Sequence, residues 1–102
     1  MTVRYVLAPR SAQDLVEIWR YLKKRSSIVM ADHVEPVIRE KIVFLSQSPG
    51  AGHWHKDLSS ERVKFFSVYS YLIVYRPDTK PLQIVSILHG RRDVERILKN
   101  RP

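Results

Sequence analysis

The sequence predicts an α+β fold in which a helical hairpin packs on one mainly antiparallel sheet. Two observations lead to this prediction. Apolar residues recur at helical spacing in the first half of the chain, and three β-rich stretches follow one another in the second half. The predicted order is strand, helix, helix, strand, strand, strand, helix. With 102 residues, the chain is expected to form a single domain over residues 1–102.

The first strand and the first helix lie at the N-terminus. Residues 2–7 are rich in β-formers and predict a strand that Pro9 ends. Ser11 is the predicted N-cap of the helix, and Asp14 lies in its first turn. A basic triplet at 23–25 closes the helix, where cations complement the helix dipole. The apolar face has the spacing i, i+3, i+4, i+7 and consists of Leu15, Ile18, Trp19 and Leu22.

A second apolar stripe predicts a second helix that ends at Ser48-Pro49-Gly50. Pro36 lies inside this helix, and a proline there removes one backbone hydrogen bond. We therefore expect a kink or break between about Asp32 and Pro36. Two helices linked this closely are expected to lie antiparallel as a hairpin. The stripe consists of Val34, Val37, Ile38, Ile42 and Leu45.

The segment 51–60 has no periodicity and is predicted to be a loop. It contains Trp54 between His53 and His55. Two histidines at i, i+2 lack a third ligand at a convincing spacing, so no metal and no cofactor are expected.

Three strands are predicted to follow as an antiparallel meander. The stretch 62–66 alternates, with two cations, Arg62 and Lys64, on one face. The runs 71–75 and 82–88 are continuously apolar, which suits strands with both faces at least partly covered. A proline-bounded turn at 77–81 separates them.

The chain ends with a predicted short helix that starts near Asp93. Its apolar face consists of Val94, Ile97 and Leu98, and its basic face of Arg91, Arg92, Arg96 and Lys99. The formal net charge of the whole chain is +8. Residues 1–50 carry 8 basic and 5 acidic groups, and residues 51–102 carry 10 and 5, so the second half is the more basic. This charge favours an acidic partner, either a nucleic acid or an acidic protein.

Several classes of function are excluded by what the sequence lacks. It has no cysteine, no glycine-rich phosphate loop and no serine-hydrolase or zinc-protease motif. The N-terminus has no signal-peptide pattern, and no apolar run is long enough to cross a membrane, so a cytoplasmic location is expected. The remaining chemistry is metal-free acid–base cleavage of a phosphodiester, for which Lys64, Arg76 and His89 are the candidates.

Four segments together resemble the ParE toxins of the RelE/ParE superfamily of bacterial toxin–antitoxin modules. The segment 14–22, DLVEIWRYL, is similar to the first-helix pattern of ParE toxins. GHWHKDL at 52–58 is similar to a loop in one branch of the family. The most specific pieces are YLIVYRP at 71–77 and ILHGRRD at 87–93. The resemblance covers nearly the whole chain.

The resemblance implies an α+β toxin that is neutralised by a ParD-type antitoxin and that inhibits DNA gyrase, which blocks replication and arrests growth. RelE relatives instead cut mRNA on the ribosome, and their cleavage usually uses a tyrosine near the C-terminus. This chain has no tyrosine after Tyr75, and Gly90 follows His89. We therefore expect a gyrase poison that acts by binding without catalysis. A RelE-type endoribonuclease that uses Lys64, Arg76 and His89 is the alternative, and a third hypothesis is a binding module that has lost toxicity.

Two surfaces are expected to carry this function. The target-binding set is His89, Arg91, Arg92, Asp93, Arg96 and Lys99. The antitoxin-binding set is the apolar stripe of the helical hairpin, namely Leu15, Ile18, Trp19, Leu22, Val34 and Ile38. Contact with DNA is expected only through the antitoxin or gyrase, and no contact with a membrane is expected.

Overall fold

The computed structural model of the protein describes residues 4–56, 61–90 and 93. Five strands form one sheet in the order β1-β5-β4-β3-β2. β1 runs parallel to β5, and the other neighbours are antiparallel. The α+β prediction is confirmed, while the predicted helix after Asp93 lies outside the described residues. The elements are β1 Tyr5–Leu7, α1 Pro9–Arg25, α2 Ile28–Gln47, a 3₁₀ turn Pro49–Ala51, β2 His53–Trp54, β3 Lys64–Val68, β4 Tyr71–Arg76 and β5 Leu82–His89.

Helix α1 begins at Pro9, so the prediction of Ser11 as its N-cap is wrong. A proline suits the first helical position because its missing N–H would have no partner there. Ser11 is instead fully buried. Its Oγ lies 2.8 Å from the carbonyl oxygen of Ala8 and 3.0 Å from that of Ile84, either of which can accept its proton. This hydroxyl therefore ties the start of α1 to β5.

Helix α2 continues from Ile28 to Gln47 through Pro36, so the predicted break is wrong. The proline costs one backbone hydrogen bond, and its side chain is exposed on the outer face of the helix. Val34 and Ile38 on either side of it are buried in the core, and this packing holds the two halves together. The Oγ of Ser27 caps the helix by accepting a hydrogen bond from the Met30 N–H at 3.0 Å.

The segment 51–60 is not entirely a loop as predicted, since His53 and Trp54 form the edge strand β2. His53 is paired with Phe65 and Trp54 with Lys64 on β3. Two residues are too few to show an alternating pattern. Their strand geometry comes from pairing with a neighbour that is about ten residues away in the sequence.

The sheet is covered on both faces, as the continuous apolar runs predict. One face packs against α1 and α2 around Ile38, Ile73 and Tyr75, all fully buried. A smaller cluster of Val63, Phe65 and Val74 lies on the other face. Within the described part of the chain, neither helix has the length and apolar character that crossing a bilayer requires.

The hydroxyl of Tyr75 closes the end of the core next to β2. It donates a hydrogen bond to the Pro49 carbonyl at 2.7 Å and accepts one from the Gly52 N–H at 2.9 Å. Burial raises the pKa of Tyr75, and the bond from Gly52 opposes this shift. One side chain thus fixes both sides of the 3₁₀ turn to the sheet.

Candidate functional site at the end of the sheet

The chain leaves β5 through a corner that backbone hydrogen bonds hold in place. The carboxylate of Asp93 accepts a hydrogen bond from the His89 N–H at 2.7 Å, and Asp93 is only 8% exposed. The Gly90 N–H donates to the Ser70 carbonyl at 2.6 Å. A Cβ at Gly90 would lie 3.0 Å from that same carbonyl oxygen, so the close approach favours glycine. Two hydrogen bonds therefore hold the segment 89–93, HGRRD. Gly90 near its start bonds to Ser70, and Asp93 at its end bonds to the His89 N–H.

A cavity of about 250 Å³ lies beside this corner, between α1 and strands β4 and β5. The rings of Tyr71 and His89 meet edge to face in its wall, with centroids 5.6 Å apart. Charged groups from α1 and from the corner share the cavity with aromatic rings, so it is both polar and aromatic. Its lining residues are Arg10, Asp14, Glu17, Ile18, Tyr21, Tyr71, Ile87, His89 and Asp93.

Asp14 connects α1 to β5 in the floor of this cavity. Its carboxylate accepts a hydrogen bond from the Ile87 N–H at 2.9 Å and pairs with the Nε of Arg10 at 3.2 Å. Burial raises the pKa of Asp14, and the negative charges of Glu17 and Asp93 raise it further. The Ile87 N–H and Arg10 oppose that shift without cancelling it. Because α1 begins at Pro9, Asp14 does not lie in its first turn as predicted, and its structural role is to bind the backbone of β5.

Replacing Asp14 with alanine is expected to lower the free energy of unfolding by about 1–3 kcal/mol, because the buried Ile87 N–H loses its acceptor. The substitution Asp14→Asn keeps an acceptor oxygen at this position, so D14N is expected to cost clearly less than D14A. Urea denaturation of both variants at pH 7 measures the difference. Equal losses for the two variants would contradict the role of this hydrogen bond.

Comparing the wild type with D14N tests the raised pKa of Asp14. A carboxyl with a higher pKa in the folded chain binds more protons when folded, so its ionisation favours unfolding. Its contribution to the free energy of unfolding therefore falls as the pH rises above the usual aspartate value of about 3.9. The stability of the wild type relative to D14N is expected to increase as the pH is lowered towards that value. A difference that is independent of pH would contradict the assignment.

The structure does not bring the three candidate nuclease residues together. Lys64 is paired with Tyr75 and His89 with Tyr71, four residues apart on β4. Four residues of strand span roughly 13 Å. Arg76 follows Tyr75 on β4, so it lies on the opposite face of the sheet, where it pairs with Glu61 at 3.5 Å.

Most of the predicted antitoxin-binding residues lie inside the protein. Leu15, Ile18, Val34 and Ile38 are buried in the core between the helices and the sheet. Trp19 and Leu22 are half-buried, and the indole N–H of Trp19 donates to Asp32 at 2.8 Å. The chain itself therefore uses most of this stripe. The large apolar side chains that are exposed on the hairpin are not in the predicted set; they are Val16, Tyr21, Ile28, Val29, Met30 and Phe44.

The predicted target-binding residues divide into two groups. His89 and Asp93 form the corner described above, with the His89 ring in the cavity wall and the Asp93 carboxylate turned back to the backbone. Arg91, Arg92, Arg96 and Lys99 lie outside the described residues. In the sequence, Arg91 and Arg92 stand between the two anchored positions Gly90 and Asp93.

Comparison with known proteins agrees with this architecture. A family model for the ParE toxin of the type II toxin–antitoxin system parDE matches residues 5–94. Among solved structures, a chain from the chromosomal ParDE toxin–antitoxin system of P. aeruginosa has a similar fold, with a TM-score of 0.71 at 19% identity. That alignment covers 83% of this chain and 92% of the other. No curated protein sequence matches. Because the family model spans most of the sequence, the chain belongs to the ParE toxin family of type II toxin–antitoxin systems.

Proposed function

We propose that this toxin inhibits DNA gyrase by binding to it, so that cleaved DNA accumulates and replication stops. The observation that carries the proposal is the separation of the three nuclease candidates that the sequence offered. Lys64 and His89 lie roughly 13 Å apart along the sheet, and Arg76 lies on the other face. Acid–base cleavage needs its acid, base and charge-stabilising groups around one phosphate. Binding needs no such convergence.

The anchored corner supports a location for this binding. Asp93 and Gly90 hold the corner to the backbone of β5 and of the β3–β4 turn. Arg91 and Arg92 lie within this corner in the sequence, and Arg96 and Lys99 follow. Guanidinium groups make bidentate, charge-assisted hydrogen bonds to carboxylates and phosphates. The two adjacent arginines lie between the anchored positions Gly90 and Asp93 in the sequence, and this supports assigning the contact with gyrase to this segment.

We further propose that a ParD-type antitoxin neutralises the toxin by packing on the helical hairpin. A groove of about 210 Å³ runs between α1 and α2 and is lined by Leu15, Val16, Trp19, Glu35 and Arg39. Val16 in this groove is exposed, and so are three apolar side chains at the start of α2, Ile28, Val29 and Met30. An amphipathic partner helix with apolar anchors at i, i+3 and i+4 fits such a groove.

Expression of the toxin in growing cells tests this function against its two alternatives. A gyrase poison is expected to arrest growth, and co-expression of a ParD-type antitoxin is expected to restore it. Primer extension on cellular mRNA after induction is expected to show no codon-phased cuts. Cuts phased with codons would assign the protein to the ribosome-dependent endoribonucleases, and unaffected growth would make it a binding module without toxicity.

A further inference from the structure

Trp54 forms an exposed aromatic surface at the edge of the sheet. It lies on β2, the last strand in the sheet order, and is 44% exposed. Two cations lie close to its indole ring, with the Arg62 Cζ 5.0 Å and the Lys64 Nζ 4.9 Å from the ring centroid. Trp54 and Lys64 are cross-strand partners and so point to the same face of the sheet. These three side chains, Trp54, Arg62 and Lys64, are called the trio below. They are separate from the corner at residues 89–93 and from the groove on the hairpin.

Both cations are held beside the ring by further contacts. Lys64 donates to the Gly50 carbonyl at 3.3 Å, and Arg62 pairs with the exposed Asp78. Both members of the Arg62–Asp78 pair are largely exposed to solvent, and an exposed pair of this kind is weak enough to exchange for a stronger anion.

The combination of an aromatic face with adjacent cations distinguishes between classes of acidic partner. An acidic protein surface needs cations alone, whereas a single nucleic acid strand presents a flat base next to each phosphate. Bases stack on exposed aromatic rings, and phosphates pair with lysine and arginine beside them. The net charge of +8 adds long-range attraction for a polyanion.

From this geometry, and in contrast to the sequence-based expectation that DNA is contacted only indirectly, we propose that Trp54, Arg62 and Lys64 form a binding site for single-stranded nucleic acid. Arg62 and Lys64 lie over the indole of Trp54 in the free protein, so a base takes their place on the ring and the two cations move to the neighbouring phosphates. The site requires no cleavage and is independent of the proposed action on gyrase. DNA and RNA share this chemistry, so the experiment compares the two.

Fluorescence anisotropy with labelled single strands of about ten nucleotides, within the usual site size of about 4–16, measures the binding. Trp54→Ala is expected to weaken binding roughly 5- to 150-fold, which is the usual loss of one base–aromatic stack. Trp54→Phe is expected to retain most of the affinity. Arg62→Gln and Lys64→Gln are each expected to reduce the slope of log K against log salt by about 0.7. The tighter of the DNA and RNA strands shows which of the two sugars the site prefers.

Matched controls separate this site from general attraction to a basic protein. Lys41→Gln removes one exposed charge from α2, an element that contains none of these three residues, and is expected to change the affinity less than Lys64→Gln does. Thermal denaturation checks that each variant is folded, and the phenylalanine variant provides a second test if the alanine variant is not. Equal binding by wild type, Trp54→Ala and Trp54→Phe would overturn the proposal. A second result would also overturn it: polyglutamate displaces the strand, and Trp54→Ala weakens the binding of polyglutamate as much as the binding of the strand.

Discussion

Replacing Gly52 with alanine is expected to lower the free energy of unfolding by about 2–4 kcal/mol, the sum of overpacking and a lost hydrogen bond. A Cβ at this position would lie 2.5 Å from the Tyr75 hydroxyl oxygen and 2.9 Å from the Phe65 carbonyl oxygen. Neither group can move away easily, because one is part of the β3 backbone and the other is a fully buried ring. The same hydroxyl accepts the Gly52 N–H, so moving it also breaks that bond. Urea denaturation measures the loss.

Gly50 provides a matched control two residues earlier. A Cβ there would meet nothing within 4 Å, so Gly50→Ala is expected to stay within about 1 kcal/mol of the wild type. Tyr75→Phe removes the hydroxyl oxygen with which the Cβ of an alanine at position 52 would clash. Gly52→Ala is therefore expected to cost less in the Tyr75→Phe background than in the wild type. The same cost in both backgrounds would contradict the proposed contact.

Replacing both Arg91 and Arg92 with alanine is expected to weaken gyrase poisoning roughly 100-fold or more. Each charge-assisted hydrogen bond contributes about 1.5–3 kcal/mol, and about 1.4 kcal/mol corresponds to tenfold in affinity. The anchors of the corner, His89 N–H to Asp93 and Gly90 N–H to Ser70, do not involve these two side chains. The expected loss is therefore in binding. The toxin concentration that gives half-maximal DNA cleavage measures it.

A double variant with the same change in charge controls for net electrostatics. Lys24→Ala with Lys41→Ala also removes two positive charges from the total of +8, at exposed positions on α1 and α2. This variant is expected to poison gyrase nearly as well as the wild type. If both double variants lost the same activity, the effect would come from overall charge, and the assignment to the corner would fail.

The architecture was predictable where local sequence determines local structure. The apolar spacing around Leu15 and Ile18 matches α1, and the apolar runs match β4 and β5. The predicted break at Pro36 is wrong because tertiary packing of Val34 and Ile38 outweighs one lost hydrogen bond. The spacing of apolar residues shows which side of a helix or strand is apolar. It does not show which other part of the protein packs against that side.

The parts of the candidate site that sequence reasoning missed depend on contacts between distant residues. Ser11 and Asp14 each bond to a β5 backbone group 73 residues away. Nothing near them in the sequence indicates that partner, so both resemble ordinary residues of a first helical turn. The antitoxin-binding set stays a prediction, because one apolar stripe can cover the protein's own sheet or a partner. Here Leu15 and Ile38 cover the sheet.

Gyrase itself provides the most direct test of the central claim, that this ParE-family toxin acts by binding gyrase. Purified toxin is added to gyrase and relaxed plasmid DNA in the presence of ATP, and both supercoiling and cleaved DNA are measured. We predict that supercoiling falls and that cleaved DNA accumulates as the toxin concentration rises, and that a ParD-type antitoxin reverses both effects. Unchanged supercoiling and unchanged cleavage at a large molar excess of toxin would contradict the claim.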